Sequence, residues 1–189
     1  MISRLAGIML IAVATAAVAA DNYTIDPRHT FPVFEISHYG FSTQRGRFEH
    51  TTGKISLDPQ ANAGSIDVTI DTGSISMGFD AWNQQMRSDA YFNSDKFPTM
   101  SFRADKLQFD GERLVGADGE FTLLGVSRPL HLTVTNFRCG ANPMNKRAQC
   151  GADASAVLRR SDFGMTRALP GIGDEVRIFI AIEAAKDPQ

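Results

Sequence analysis

Apolar and polar residues alternate with a period of two through most of the chain. Phe34, Ile36 and His38 alternate with Val33, Glu35 and Ser37, and Ile66, Val68 and Ile70 with Ser65, Asp67 and Thr69. The same beat recurs at Ile55 and Leu57, at Met100, Phe102 and Ala104, at Phe121 and Leu123, at Leu130, Leu132 and Val134, and at Val176, Ile178, Ile180 and Ile182. Turn-forming residues separate these runs: Asp58-Pro59, Asn62-Ala63-Gly64, Asp110-Gly111, Asp118-Gly119 and Pro170-Gly171. Short runs with one apolar face and frequent turns predict antiparallel strands with one buried side. One segment breaks the beat. Asp80 to Tyr91 carries Ala81, Gln84, Gln85, Met86 and Arg87 and predicts a single helix, with Asp80 as its N-cap. About eight strands of this kind make a sandwich or a closed barrel, and periodicity alone leaves both open.

The N-terminus has a different pattern. Arg4 precedes an uncharged run from Leu5 to Val18, and Val18-Ala19-Ala20 offers small residues for cleavage before Asp21. This predicts a cleaved export signal over residues 1–20, since the run is short for a bilayer span. Residues 21–189 then form one domain, expected outside the cytoplasm. Removing the signal takes one arginine with it and leaves 18 Lys and Arg against 21 Asp and Glu. That mild acidity leaves no basic excess to neutralise a phosphate backbone, which argues against a nucleic-acid partner. Composition adds one point: 13 Phe stand against 3 Tyr and 1 Trp. Phe has no polar handle and suits a dry core or an apolar cavity equally.

Cys139 and Cys150 are the only cysteines and bracket ten residues of loop composition. In an oxidising compartment they predict one disulfide pinning that loop. Several catalytic-looking motifs lack their partners. Asp71-Thr72-Gly73-Ser74 resembles an aspartic-protease turn but occurs once, where the chemistry needs two carboxylates. Asp162-Phe163-Gly164 lacks the other kinase elements, and no serine sits in a nucleophile elbow. The histidines are His29, His38, His50 and His131, without metal-binding spacing; His29 with His38 is the best pair for a site built across strands.

Taken in order, several segments resemble one known family. They are Tyr23-Thr24-Ile25-Asp26-Pro27-Arg28-His29-Thr30, Phe34 to Phe41, Arg45-Gly46-Arg47-Phe48, Met86 to Phe92, Phe97 to Phe102, Gly119 to Leu130, and Arg160-Ser161-Asp162-Phe163-Gly164-Met165. This ordered set, from about Tyr23 to Ala184, is similar to the YceI-like family of polyisoprenoid-binding periplasmic proteins. The resemblance implies an all-β fold: an extended, lipocalin-like antiparallel barrel of about eight strands, with one short helix and an internal apolar tunnel. It implies binding and carriage of a long-chain amphiphile, a polyisoprenoid or isoprenoid quinone, with no catalytic residues and no required cofactor or metal. A fatty acid or fatty amide binder of the same fold, and a quinone-linked redox or metal-dependent enzyme using His29 and His38, are the alternatives.

On this reading the ligand-binding residues are Phe34, Ile36, His38, Phe48, Met86, Phe92, Phe102, Phe121, Leu132, Phe163, Met165 and Ile178. The helix near Ala81 to Phe92 and the loop near Arg160 to Gly173 are expected at the tunnel mouth. His38, Arg160 or Asp162 would meet a head group there, unless Arg160 and Asp162 form a structural ion pair. The lipid is the expected partner. Transient contact with a membrane and a homodimer covering the mouth are further expectations.

Overall fold

A computed structural model describes residues 20–188. The expected signal, apart from its final residue, lies outside the described residues. Among them, eleven strands form one antiparallel sheet that closes on itself: β1 (Asp21–Ile25), β2 (Phe31–His38), β3 (Ser42–Phe48), β4 (Thr51–Asp58), β5 (Ala63–Asp71), β6 (Ile75–Ser76), β7 (Thr99–Asp110), β8 (Arg113–Leu123), β9 (Val126–Ala141), β10 (Ala148–Arg159) and β11 (Ile172–Lys186). An α-helix, α1 (Asp80–Arg87), follows β6.

The ring has eight staves because three of them are interrupted. β11 pairs through its C-terminal end with β1 (Tyr23 opposite Lys186, Ile25 opposite Ala184) and through the rest with β2 (Phe31 opposite Ala181, His38 opposite Ile172). β1 and β2 are therefore successive halves of one stave. β4 pairs with β1 and β3 with β2, making the second stave; β5 pairs with β4 and β6 with β3, making the third. β7 to β11 complete the circle as uninterrupted antiparallel neighbours. Closure leaves no long free edge among the described residues, which removes the aggregation hazard of an open sheet.

The two ends of the barrel differ. At one end the β9–β10 hairpin projects, and Cys139 lies directly opposite Cys150, joined by a disulfide. Both strands run to the edge of a turn at 142–147, so the bond staples paired strands. Of the expected ten-residue loop, 140–141 and 148–149 are paired strand and 142–147 are the turn. At the other end lie α1, the β2–β3 turn at Tyr39 to Phe41, the β8–β9 turn and the β10–β11 connection at 160–171. The β8–β9 turn is two residues, Leu124 and Gly125, both at positive φ. This is the conformation whose twist suits a tight hairpin, and it tolerates Gly far better than Leu.

Asp80 opens the helix but does not cap it. Phe79 holds the cap position with no side-chain bond, and Asp80 is the first helical residue. The Asn83 side-chain oxygen instead accepts from the Met77 N–H, fixing the entry to the helix. Past α1, the 88–98 segment is tied back to the helix and to the turn at 72–74. Phe92 donates its N–H to the Met86 carbonyl, and Thr72 donates its hydroxyl to the Phe97 carbonyl. The Asp71-Thr72-Gly73-Ser74 motif is a short 3-10 turn between β5 and β6, with the Asp71 carboxylate accepting from the Gly73 N–H. Its carboxylate serves the backbone.

Candidate functional site: an axial apolar cavity

Period-two patterning puts one face of every stave inside the ring, and most of those inward residues are apolar. They enclose a cavity of about 340 Å³ along the barrel axis. β11 contributes Val176, Ile178, Ile180 and Ile182; β5 contributes Ile66, Val68 and Ile70; β9 contributes Leu130, Leu132 and Val134. Helix α1 covers one end. Trp82, Gln85 and Met86, at spacings of three and four, fall on one helical face and line the cavity there. Trp82 and Gln85 are also exposed, so the cavity reaches the surface beside the helix. At the opposite end the lining residues Tyr23, Leu57 and Cys150 are buried.

Of the residues singled out from sequence, Phe34, Ile36, His38, Phe48, Met86, Phe92, Phe102, Phe121, Leu132, Met165 and Ile178 line this cavity. Phe163 does not. It is buried behind the wall, with its ring edge-on to Phe121 at 5.6 Å between centroids, and it supports a lining residue. Phe48 is braced the same way by Phe92 at 5.3 Å.

The polar groups divide sharply. Arg160 is 2% exposed and donates to three backbone carbonyls: Nε to Gly173 at 2.8 Å, Nη1 to Met165 at 2.9 Å and Nη2 to Ile172 at 2.9 Å. Burial pulls its guanidinium below the ordinary arginine value, while Asp174 and Tyr91 act in the opposite direction. Asp162 is exposed, and among the described residues it makes no ion pair with Arg160. The acidic neighbour of this region is Asp174, which accepts from the Ser161 N–H and hydroxyl and from Arg159. Although burial works to raise it, those bonds hold the Asp174 carboxyl below the usual value. Arg160 and Asp174 together pin the 160–171 connection over the end of the barrel.

His29 and His38 are not brought together. His29 sits at the β1–β2 break, exposed, with Nδ1 2.9 Å from the Asp26 carboxylate. His38 ends β2 at the helix end, where it lines the cavity with its ring edge-on to Tyr39 at 4.9 Å. The whole of β2 separates them, about 25 Å of extended chain. Among the described residues no group of three or more His, Cys, Asp or Glu is placed to hold a metal. No helix among them is long and apolar enough to cross a membrane.

Sequence reasoning missed other lining residues. Ala152 and Ala154 of β10 and Phe137 of β9 all face the cavity, as does Thr51 of β4. Thr51 is 1% exposed.

Known proteins share this architecture. The family model of the YceI-like domain matches residues 23–184. A UPF0312 protein of Enterobacter sp. (strain 638) is 33% identical over 97% of each chain. Protein YceI of Salmonella arizonae is 30% identical over 91% of each. Among solved structures, Burkholderia cenocepacia BcnA superposes with a TM-score of 0.70 at 20% identity, covering 84% of this chain and 98% of that one. A polyisoprenoid binding domain from Saccharophagus degradans superposes at 0.66 and 19% identity, covering 87% and 98%. With a family model spanning nearly every strand of the barrel, the chain belongs to the YceI-like family.

Proposed function

We propose that this chain is a periplasmic binding and carrier protein for a long-chain amphiphile, most specifically an isoprenoid lipid such as a polyprenol or isoprenoid quinone. The observation that carries this is the axial cavity, walled by Phe, Ile, Leu, Val and Met and reaching the surface where α1 meets the barrel end. Such a wall offers a hydrocarbon tail about 0.8 kcal/mol for each methylene taken out of water. A five-carbon isoprene unit then gains up to about 4 kcal/mol before ordering costs.

Binding without turnover fits the polar groups. Arg160, which also lines the cavity, spends three of its five N–H donors on backbone carbonyls, and the His29 and His38 rings lie far apart. The Saccharophagus degradans neighbour is described as a polyisoprenoid binding domain, and the shared fold extends the same reading here. The Cys139–Cys150 disulfide supports an oxidising compartment, in keeping with the export signal read in residues 1–20. Phe41 (92% exposed), Phe79 and Trp82 lie at the helix end and would meet a membrane surface during loading.

Trp82 is the single tryptophan and lines the cavity, so it reports occupancy. Titration with ubiquinone is expected to quench its fluorescence with saturation at one equivalent. Quenching that never saturates, or requires detergent, overturns the proposal.

A further inference from the structure

Two buried side-chain hydroxyls lack a hydrogen-bond partner among the described residues, Thr51 Oγ1 and Ser94 Oγ. Of the two, Thr51 lines the cavity. It occupies an inward position of β4, in phase with the lining residues Ile55 and Leu57. Other buried threonines are satisfied. Thr30 is equally buried and also lines the cavity, yet its hydroxyl donates to the Glu183 carbonyl and accepts from the Glu183 N–H. Thr72 donates to Phe97. Thr51 is the exception: a residue of the cavity lining whose buried hydroxyl has no partner among the described residues.

An unsatisfied buried hydroxyl is costly, which points to a partner beyond the described residues. Its level in the barrel narrows what that partner is. On the stave made by β3 and β4, Thr51 lies seven residues from Gln44 at the helix end and six from Leu57 at the other, with all three lining the cavity. The free hydroxyl is therefore about halfway down the tunnel, well below the rim. The nearest lining residues on either side along this stave, Phe48 and Ile55, are apolar. A hydrogen bond made there would be shielded from water and correspondingly selective.

We infer that Thr51 is the internal polar anchor of the tunnel and that the cargo carries a carbonyl or hydroxyl oxygen at mid-depth, so that its oxygenated portion is buried rather than held at the mouth. This rests on the lipid-binding proposal above and adds the level at which the cargo's oxygen is held, so that an oxygen-bearing isoprenoid is favoured over a hydrocarbon of the same length. A threonine hydroxyl can donate to a quinone carbonyl or accept from an alcohol, and so serves either.

The test compares ubiquinone with squalene, an isoprenoid hydrocarbon, on wild type, Thr51→Val and Thr51→Ser. Affinities are read by competition for the Trp82 signal, after each variant's melting curve is recorded. Valine keeps the shape and removes the hydroxyl. The ratio of ubiquinone to squalene affinity is expected to fall about tenfold (about 1.4 kcal/mol) in Thr51→Val and to stay near the wild-type value in Thr51→Ser. Thr51→Val should melt no lower than wild type without ligand, because it deletes an unpaired polar group. A ratio unchanged in Thr51→Val, or lowered equally in Thr51→Ser, overturns the inference and leaves the hydroxyl to an ordinary bound water. Wild-type protein that takes up neither compound overturns the lipid-binding proposal itself.

Discussion

Replacing Arg160 by Met is expected to be among the most damaging single changes outside the apolar core. The arginine makes three bonds of 2.8 to 2.9 Å to the carbonyls of Gly173, Met165 and Ile172. Hydrogen bonds from a charged donor contribute about 1.5–3 kcal/mol each. Three give roughly 4–9 kcal/mol gross, offset by several kcal/mol for desolvating the guanidinium. Methionine regains that desolvation and some packing but leaves three carbonyls without donors. Three carbonyls left unsatisfied at about 1–3 kcal/mol each, less what methionine regains, put the net loss at about 3–5 kcal/mol. At a urea slope of about 1–3 kcal/mol/M, the unfolding midpoint should fall by about 1–5 M. Arg160→Lys discriminates between charge and geometry. One ammonium cannot span carbonyls that the planar fork reaches in three directions, so Lys should lose nearly as much as Met. Met165 and Ile172 line the cavity, so ligand affinity should fall with stability. A midpoint within experimental error of wild type for Arg160→Met, or full retention by Arg160→Lys, would refute this role for Arg160 in the 160–171 connection.

Other expectations concern the hairpin, the β1–β2 break and the wall. Removing the Cys139–Cys150 bond by a double serine substitution should lower the melting temperature by about 6–12 °C, from about 3 kcal/mol in the chain-entropy model; an unchanged melting curve would show that the hairpin needs no staple. The Asp26 carboxyl is held at about 2, first by the Arg28 backbone N–H and then by the His29 ring, below its unfolded value of 3.8. Because the folded value is the lower one, this stabilisation is present above about pH 4 and is lost as pH falls towards 2. Melting temperatures measured from pH 5 to 2 should therefore decline less steeply in Asp26→Asn than in wild type. Phe121→Ala should cost about 3–5 kcal/mol in chemical unfolding, because Phe121 is buried and braces Phe163; Phe121→Leu should fold near normally and bind lipid more weakly.

The wall of the cavity is legible in the sequence wherever large apolar residues alternate with polar ones. β11 and β5 are the clearest cases. β10 has the same alternation of faces but a faint signal, because its inward residues include Ala152, Ala154 and Ala156, whose contrast with outward Asp153 and Ser155 is weak. β3 is polar on its outer face and begins Ser42-Thr43-Gln44-Arg45, so only Phe48 signals burial. The division of three staves into halves, at 26–30, 49–50 and 72–74, has no periodic signature at all. Nor could spacing show the bonds of Arg160, which reach residues five to thirteen positions away. Its sequence neighbour Asp162 looks like the natural partner, but the short 3-10 turn at Arg160–Phe163 leaves Asp162 exposed while Arg160 is buried. Thr51 is hidden for a related reason: a threonine at the start of a strand is unremarkable until its hydroxyl is found to have no partner among the described residues.

If the barrel holds one isoprenoid lipid along its axis, the lipid should co-purify with the protein. Native mass spectrometry of the protein recovered from cells without detergent, followed by solvent extraction and identification of what is released, tests this most directly. The expected result is a one-to-one adduct whose extracted mass is that of an oxygen-bearing isoprenoid. Straight-chain acyl species alone, or a bare protein mass that added ubiquinone and polyprenol leave unchanged, would contradict it.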